Sequence, residues 1–348
     1  MTTSNSEYTL ALEKIEAVIR RWLPENPGAS WLEGIFSLPG DSVQSSLVNS
    51  LSLPGRDLVN RGGKRWRPLL MYLTAMCAGG EAAAEAALGL TPLVEFPHNA
   101  SLIHDDIEDN SDERRGKPAV HLIYGNDTAI NSGAFFYFLP LACIEASDFP
   151  VSQKLRIYQS WGLYMRRLHL GQAMDIAWHR NFLSLPSPEE YERMCRLKTG
   201  CLAGLAARLG FYCTASGDDA LAEELGEGAE KLGVGFQILD DVKNLSGGIA
   251  GKKRGDDVVE GKKSLPVLLY LRRCPEKRDF AAACFAAARA GGAASPEVGE
   301  FIRALEEAGV IEEARQKGLG LIEESRNCFS GLKFAQKDLL IGLIDLIS

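Results

Sequence analysis

Several kinds of feature are missing from this 348-residue sequence, and each absence closes off a class of protein. No apolar run approaches the roughly 20 residues that a membrane span needs. The final stretch, 339–347, is too short and carries Asp345. The opening residues, MTTSNSEYTLALEKIE, have neither a basic start nor an apolar centre, so no signal peptide is read there and a cytoplasmic protein is expected. There is no surplus of basic residues: 38 Lys and Arg stand against 46 Asp and Glu, a net charge of −8. Such a balance offers few cations to displace counterions, which argues against nucleic acid as the main partner. The eight Cys are scattered singly and form no Cys-x-x-Cys pair, so a zinc site is not expected. Most lie in apolar stretches, as buried reduced thiols do. No GxSxG motif and no obvious catalytic Cys–His pair is present. No run alternates apolar and polar residues, and no Asn-Gly turn joins two such runs.

What is there is helical. The chain is 46% hydrophobic and 24% charged, enough apolar surface to offset the entropy of ordering. Leu10, Ile15, Val18, Ile19 and Trp22 form one apolar stripe, and good helix formers dominate throughout. The pattern predicts helices near 7–23, 41–52, 67–78, 82–109, 127–146, 152–182, 188–215 and 219–245, then shorter ones from 264 to 347. Pro-Gly at 39–40 and 54–55, Gly79-Gly80 and Pro186-Ser187-Pro188 punctuate it. Ser187 can cap a helix that opens on Pro188, Glu189 and Glu190. Pro92 and Pro97 should kink or interrupt the 82–109 pattern. No linker divides the chain, so a single all-α domain over 1–348 is expected.

Two acidic clusters stand out. Asp105 and Asp109, in DDIED, are four residues apart and share a helix face, where like charges repel. They follow the apolar, small-sided Ala100-Ser101-Leu102-Ile103, which suggests the edge of a wall rather than a solvated surface. Carboxylates placed so suit a hard cation such as Mg²⁺. Asp240 and Asp241, in QILDDVKN, likewise follow an apolar helical run. Facing each other across a cavity, the two clusters could hold several Mg²⁺ ions and, through them, a diphosphate. A basic group complements them: Gly62-Gly63-Lys64-Arg65-Trp66-Arg67-Pro68, Arg114-Arg115, Lys198-Thr199, Lys252 and Lys262. Gly-Gly and cations at a helix start suit a phosphate. Together they look like sites for two anionic ligands, one bound through metal and one directly by Arg and Lys.

The ordered set GGKRWRP, HNASLIHDDIEDNSDERRGKPAVH, GQAMD, KTG, GFQILDDVKN and GKKRGDDVVEGKKSLP resembles the trans-isoprenyl diphosphate synthases, from about residue 60 to 270. The stretches IYGNDTAINSGAFFYF and FLSLPSPEEYERMCRLKTG are most similar to geranylgeranyl diphosphate synthases. The resemblance implies a helical bundle with a central cavity, a homodimer, and about three Mg²⁺ per site. It implies Asp105, Asp109 and Asp240 as the main ligands, supported by Asp106 and Asp241. Arg114, Lys198, Lys252 and Lys262 would hold an allylic diphosphate. Gly63, Lys64, Arg67, His98 and Arg115 would hold isopentenyl diphosphate. Thr199, Gln237 and Gln172 would line the reacting centre, with Asp175 behind them. Asn244 stands where many members have a third Asp. His98 lies seven residues before Asp105 on one face, whereas His104 points to another.

The chemistry implied is ionisation of an allylic diphosphate, then attack by the alkene of isopentenyl diphosphate, then proton loss. It needs no protein nucleophile. A growing tail would run along the helix of Asp105 towards its N-terminus. Ala100 and Ser101 form a small-sided wall there, and Phe96 or an aromatic from 135–138 supplies a floor. A C20 product is expected, with farnesyl or longer chains as alternatives. A class I terpene cyclase would not need Lys64, Arg67 and Arg115, and a silent partner subunit would not need intact acidic clusters.

Overall fold

The computed structural model describes residues 2–40, 42–179, 185–247 and 254–347. Lys252, one of the residues expected to hold the allylic diphosphate, lies outside the described residues. The described chain is helical almost throughout, as expected. Packing divides it into two units. The first is Met1–Leu163, Leu205–Gly226 and Phe329–Ser348; the second is Tyr164–Gly204 and Glu227–Cys328.

The first unit opens with helices α1 (Thr2–Trp22), α2 (Ala29–Phe36), α3 (Ser45–Asn60), α4 (Trp66–Leu90) and α5 (Pro92–Glu108). A two-residue hairpin follows, β1 (Glu113–Arg114) with β2 (Lys117–Pro118), then α6 (Val120–Tyr124), α7 (Asn126–Phe138) and α8 (Leu141–Glu145). Helix α5 lies against α3 and α7, and Leu58, Ile103, Val120 and Ala129 form a core between them.

The chain continues through α9 (Val151–His179), α10 (Pro188–Cys195), a π-helical turn (Arg196–Gly200), α11 (Cys201–Tyr212), α12 (Asp219–Ser246) and α13 (Asp256–Glu260). It closes with α14 (Leu265–Arg273), a 3₁₀ turn, α15 (Arg278–Gly291), α16 (Pro296–Glu307), α17 (Val310–Gly331) and α18 (Asp338–Ile347). The core of the second unit centres on Phe301, whose ring meets those of Phe285 at 5.4 Å and Tyr270 at 6.1 Å.

Prolines did not all act as expected. Pro92 occupies the first turn of α5, where a missing N–H costs nothing, and α4 ends just before it. Pro97 stays inside α5 and Pro54 inside α3, which runs to Asn60 rather than stopping near 52. At Pro54 the neighbouring α7 compensates: the Gly55 N–H donates to the Ser132 hydroxyl at 3.2 Å. A side chain at Gly55 would collide with the Phe136 ring, 2.7 Å from its Cε1. Gly80, with φ 71°, breaks α4 internally, as Gly79-Gly80 suggested. Ser187 and Glu190 form the expected reciprocal cap, with Glu190 N–H donating to Ser187 Oγ at 3.1 Å and Ser187 N–H to Glu190 Oε2 at 2.7 Å. The 188–215 helix is interrupted by the π turn. No described helix is long and apolar enough to cross a membrane. Six of the eight Cys are buried and all eight are free thiols.

Candidate active site

In the first unit, α5 carries the site from end to end. Its C-terminus closes in a left-handed Asn110 (φ 53°), with Ser111 N–H donating to Asp106 O at 2.8 Å and Asn110 N–H to Ile107 O at 3.4 Å. This is a Schellman arrangement with Asn in the usual Gly place. Asp105, Asp106, Glu108 and Asp109 therefore crowd the last turn, with no basic residue in that turn. A helix C-terminus already bears partial negative charge, so carboxylates there are unfavourable unless a cation is near. Asp105, Glu108 and Asp109 are half-buried, whereas Asp106 is fully buried.

Asp106 is taken up by the chain itself. Arg114 bonds its Oδ1 through Nε at 2.9 Å and through Nη2, and Arg114 Nη2 also stands 3.9 Å from Asp105 Oδ2. Burial raises the Asp106 pKa, and Arg114 opposes that shift. Its Oδ2 is buried with no hydrogen-bond partner among the described residues. Asp106 thus supports Arg114 from behind, while Asp105 and Asp109 lie nearer the surface.

The hairpin after α5 turns on Arg115 and Gly116, both at positive φ (55° and 73°). Two left-handed residues are what a tight hairpin needs, and arginine takes the first place at some cost in strain. The turn sends the two arginines opposite ways. Arg115 Nη1 donates to Leu58 O at 3.0 Å and to Asn99 Oδ1 at 3.1 Å. Asn99 Nδ2 donates in turn to Glu95 Oε1 at 2.8 Å, and Arg65 Nη1 meets the same oxygen at 2.8 Å. Arg65 also bonds Glu16 at 2.7 Å and Val59 O at 2.6 Å. Buried Arg65, Glu95 and Asn99 thus brace the Gly62-Gly63 loop. The sequence named Arg65 only as one of a basic group, and Glu95 and Asn99 were passed over. The one available signal was the Glu95/Asn99 spacing of four on an otherwise apolar helix face.

Around this brace the structure gathers the residues expected to hold the second diphosphate. A side chain at Gly63 would lie 3.2 Å from Arg115 Nη2. Arg67 stacks on Trp66, 4.5 Å from the ring centroid, and Lys64 Nζ donates to Ile347 O at 3.3 Å. His98 is held neutral: burial pushes its pKa well below the usual imidazole value, and Arg67, Arg115, Arg114 and Arg65 push the same way. Burial lowers Arg115 to about 10, so it stays cationic at neutral pH. His104 is packing, as expected, 5.8 Å from the Tyr137 ring and pressed on Gly133, where a Cβ would come within 2.6 Å of its Nε2.

The three tail-wall residues fall on different faces of α5. Ala100 and Phe96 have no exposed area; they lie on the packed face of α5, and the Phe96 ring meets Phe136 at 5.4 Å. Ser101, four residues before Asp105, is half-buried on the carboxylate face, and its hydroxyl donates to His98 O at 2.8 Å. Ala100 sits about 140° away from Asp105 around a 3.6-residue helix, on a different part of the α5 surface.

In the second unit, α12 carries exposed Asp240 and buried Asp241 more than a turn before its end at Ser246. Tyr191 OH donates to Asp241 Oδ2 at 2.5 Å and Gln237 Nε2 to Oδ1 at 2.9 Å. Burial raises the Asp241 pKa; Asp257 adds to this, and the two donors oppose it. Thr199 Oγ donates to Gln237 Oε1 at 2.9 Å. Lys198, beside it in the π turn, bonds Asp175 at 2.6 Å. Glycines allow this close packing: a side chain at Gly200 would fall 2.8 Å from Glu230 O, and one at Gly233 2.7 Å from Gly200 Cα. Gln172 is half-buried on α9. Asn244 is fully buried and its Oδ1 accepts the Asp257 N–H at 3.2 Å, so this position caps α13. The adjacent lysines part: Lys262 pairs with Glu260 at 2.6 Å, while Lys263 is buried over Phe285, 4.6 Å from its centroid. Burial lowers Lys263 to about 8, with Arg289 adding to it.

Among the described residues no three His, Cys, Asp or Glu side chains are arranged to hold an ion by themselves. In each unit the carboxylates offer only oxygen, the donor type that suits Mg²⁺: Asp105 and Asp109 at the end of α5 in the first, Asp240 on α12 in the second.

A family model for polyprenyl synthetase matches residues 48–298. The chain is 34% identical over 221 residues to a geranylfarnesyl diphosphate synthase of Aeropyrum pernix, covering 62% of this chain and 69% of that protein. It is 31% identical over 274 residues to a geranylgeranyl pyrophosphate synthase of Geoglobus acetivorans, covering 78% and 81%. The crystal structure of a geranylgeranyl pyrophosphate synthetase from Pyrococcus horikoshii superposes with a TM-score of 0.83 at 25% identity, covering 99% of this chain and 98% of that one.

Proposed function

The chain belongs to the polyprenyl synthetase family and is a prenyltransferase; from that premise we propose that it extends an allylic diphosphate with isopentenyl diphosphate to give mainly geranylgeranyl diphosphate. The observation that carries the reading is α5 itself. It holds a dicarboxylate at one end, a neutral His98 among arginines further back, and a hairpin that directs Arg114 to the first and Arg115 to the second.

Members of this family depend on Mg²⁺. Asp105, Asp109 and Asp240 would hold it, about three ions in all, with Asp106 and Asp241 fixing the residues around them. Bound there, the metal would neutralise the charge that develops on departing diphosphate. The chain's own residues supply the rest. Arg114, Lys198 and Lys262 bind allylic diphosphate oxygens, each oriented from behind by a carboxylate: Asp106, Asp175 and Glu260. Lys252 is assigned to the same task. Gly63, Lys64, Arg67 and Arg115 bind the diphosphate of isopentenyl diphosphate. Neutral His98 can donate one hydrogen bond there without adding to the crowded positive charge. Thr199, Gln237 and Gln172 line the reacting carbons. Release of diphosphate from an allylic substrate, measured with and without isopentenyl diphosphate, tests this. Release that ignores isopentenyl diphosphate would point to a cyclase instead.

Arg67→Ala is expected to raise KM for isopentenyl diphosphate about 10-fold or more, and to change the allylic KM far less. A charge-assisted hydrogen bond is worth about 1.5–3 kcal/mol. Steady-state kinetics with each substrate varied checks this, and a selective allylic effect would reverse the assignment. Ser101→Phe should shorten the product, because it fills the carboxylate face of α5 about 6 Å behind Asp105. Chromatography of labelled products reads the length; an active variant with unchanged products would place the tail elsewhere. A homodimer would cover the exposed apolar residues Leu122, Ile123, Ile130 and Phe138 of α6 and α7. Sedimentation velocity of the intact chain measures its mass.

A further inference from the structure

A hydrogen-bonded relay along one face of α12 in the second unit reaches Thr199, and it starts at a residue outside the machinery assigned above. Tyr191 of α10 is 2% exposed. Its hydroxyl donates to Asp241 Oδ2 at 2.5 Å, Gln237 donates to Asp241 Oδ1 at 2.9 Å, and Thr199 donates to Gln237 at 2.9 Å. A side-chain amide can usually be turned either way, since its oxygen and nitrogen are nearly the same size. Here it cannot. Asp241 accepts at both oxygens, from Tyr191 at Oδ2 and from Gln237 at Oδ1, so Gln237 presents its NH₂ to Asp241 and its oxygen to Thr199. The Thr199 hydroxyl hydrogen is then committed to Gln237, and the oxygen can offer only lone pairs to anything else.

We propose that Tyr191 is a positioning residue for the condensation: through Asp241 and Gln237 it fixes the polarity of Thr199, so that this oxygen meets the positive charge developing on the allylic carbons with lone pairs and never with its hydrogen. The proposal rests on the prenyltransferase reading. The physical gain is preorganisation. A hydroxyl free to rotate would spend part of its time aiming a positive hydrogen at a forming cation, whereas a locked one needs no reorientation when charge appears. Tyr191 holds Asp241 from the side opposite Gln237, which keeps the carboxylate in line with the amide. Gln237 and Asp241 are four residues apart on α12, so the helix sets their separation. Thr199 lies in the π turn, whose extra residue re-aims side chains relative to a regular helix.

The test uses the intact enzyme and four forms: wild type, Tyr191→Phe, Thr199→Val and the double variant. Tyr191→Phe is expected to lower kcat about 5- to 30-fold, the size of about 1–2 kcal/mol lost through a contact one step removed from the reacting carbons. KM for both diphosphates should stay within about twofold, because Tyr191 touches neither. In the Thr199→Val background, where no hydroxyl remains to orient, the same change should cost less than about twofold. Equal losses in both backgrounds, or a loss in KM alone, would overturn the relay. Should Tyr191→Phe melt early by circular dichroism, Asp241→Asn replaces it in the same cycle. An amide can donate as well as accept, which lets Gln237 turn and reverses the polarity at Thr199. A kcat loss that vanishes in the Thr199→Val background supports the relay, and undiminished kcat, or a loss that persists there, overturns it. An inactive wild type overturns the prenyltransferase reading along with the relay. An active wild type with additive losses overturns the relay alone.

Discussion

Asp105→Ala should lower turnover by roughly 10²- to 10³-fold or more, the scale seen when one charge-stabilising group is removed from a preorganised site. Asp105 lies in the last turn of α5, half-buried and four residues before Asp109. Asp106 is fully buried and held by Arg114, and Asp109 is one turn further on. The fold should tolerate the loss. Removing one of two like charges four apart relieves about 0.2–0.5 kcal/mol of repulsion. The 3.9 Å contact with Arg114, near the surface, gives up a comparable amount. The melting temperature without Mg²⁺ should therefore stay within a few degrees of wild type. Turnover titrated with Mg²⁺ decides the matter: near-normal activity in the variant would remove Asp105 from the metal site.

Gly171→Ala is expected to be nearly as damaging for a different reason. The new Cβ would fall within 3.0 Å of Lys198 N, 2.7 Å from Leu197 C and 2.9 Å from Leu197 Cβ. Alanine gains up to about 1 kcal/mol of helix propensity over glycine. The clash, however, is with backbone, which cannot swing aside as a side-chain tip can, and overpacking of this kind costs about 1–3 kcal/mol. The relief available is to push the π turn outward, which moves Lys198 away from Asp175 and Thr199 away from Gln237. A displacement of about 1 Å at such groups can cost around 10²-fold in rate. Both the melting temperature and kcat should fall. Gly89→Ala, in an exposed part of α4 with nothing within 4 Å of the new Cβ, should instead melt at or above wild type. A Gly171→Ala enzyme with wild-type kcat would mean that this packing does not hold the turn in place.

The local chemistry of the chain was legible wherever a rule about neighbours in sequence sufficed. Ser187 and Glu190 cap α10 because their spacing alone makes the cap. Asp105 and Asp109 share a face because 3.6 residues make a turn, and the same arithmetic put His104 on another face, against Tyr137. Absence of alternation matched a chain whose only strands, among the described residues, are the two-residue pair β1 and β2. The tight turn at Arg115-Gly116 was passed over because it lacks the Asn or Asp that usually marks one. Its left-handed arginine is held by bonds to Leu58 and Asn99, 57 and 16 residues away.

The sequence by itself determined that the chain is helical, that its carboxylates come in two clusters, and that cations accompany them, since periodicity, spacing and residue type are local properties. Tertiary structure decided what each of those side chains faces. It buried Asp106 and Asp241 against Arg114 and Tyr191, and left Asp105 and Asp240 nearer solvent. It turned Lys263 inward and Lys262 outward, and packed Ala100 where Ser101 remains accessible. It carried α3 through Pro54 because Ser132 of α7 accepts the Gly55 N–H. Burial and partnership depend on groups tens or hundreds of residues away, and no pattern of near neighbours encodes which of two adjacent side chains those groups will meet.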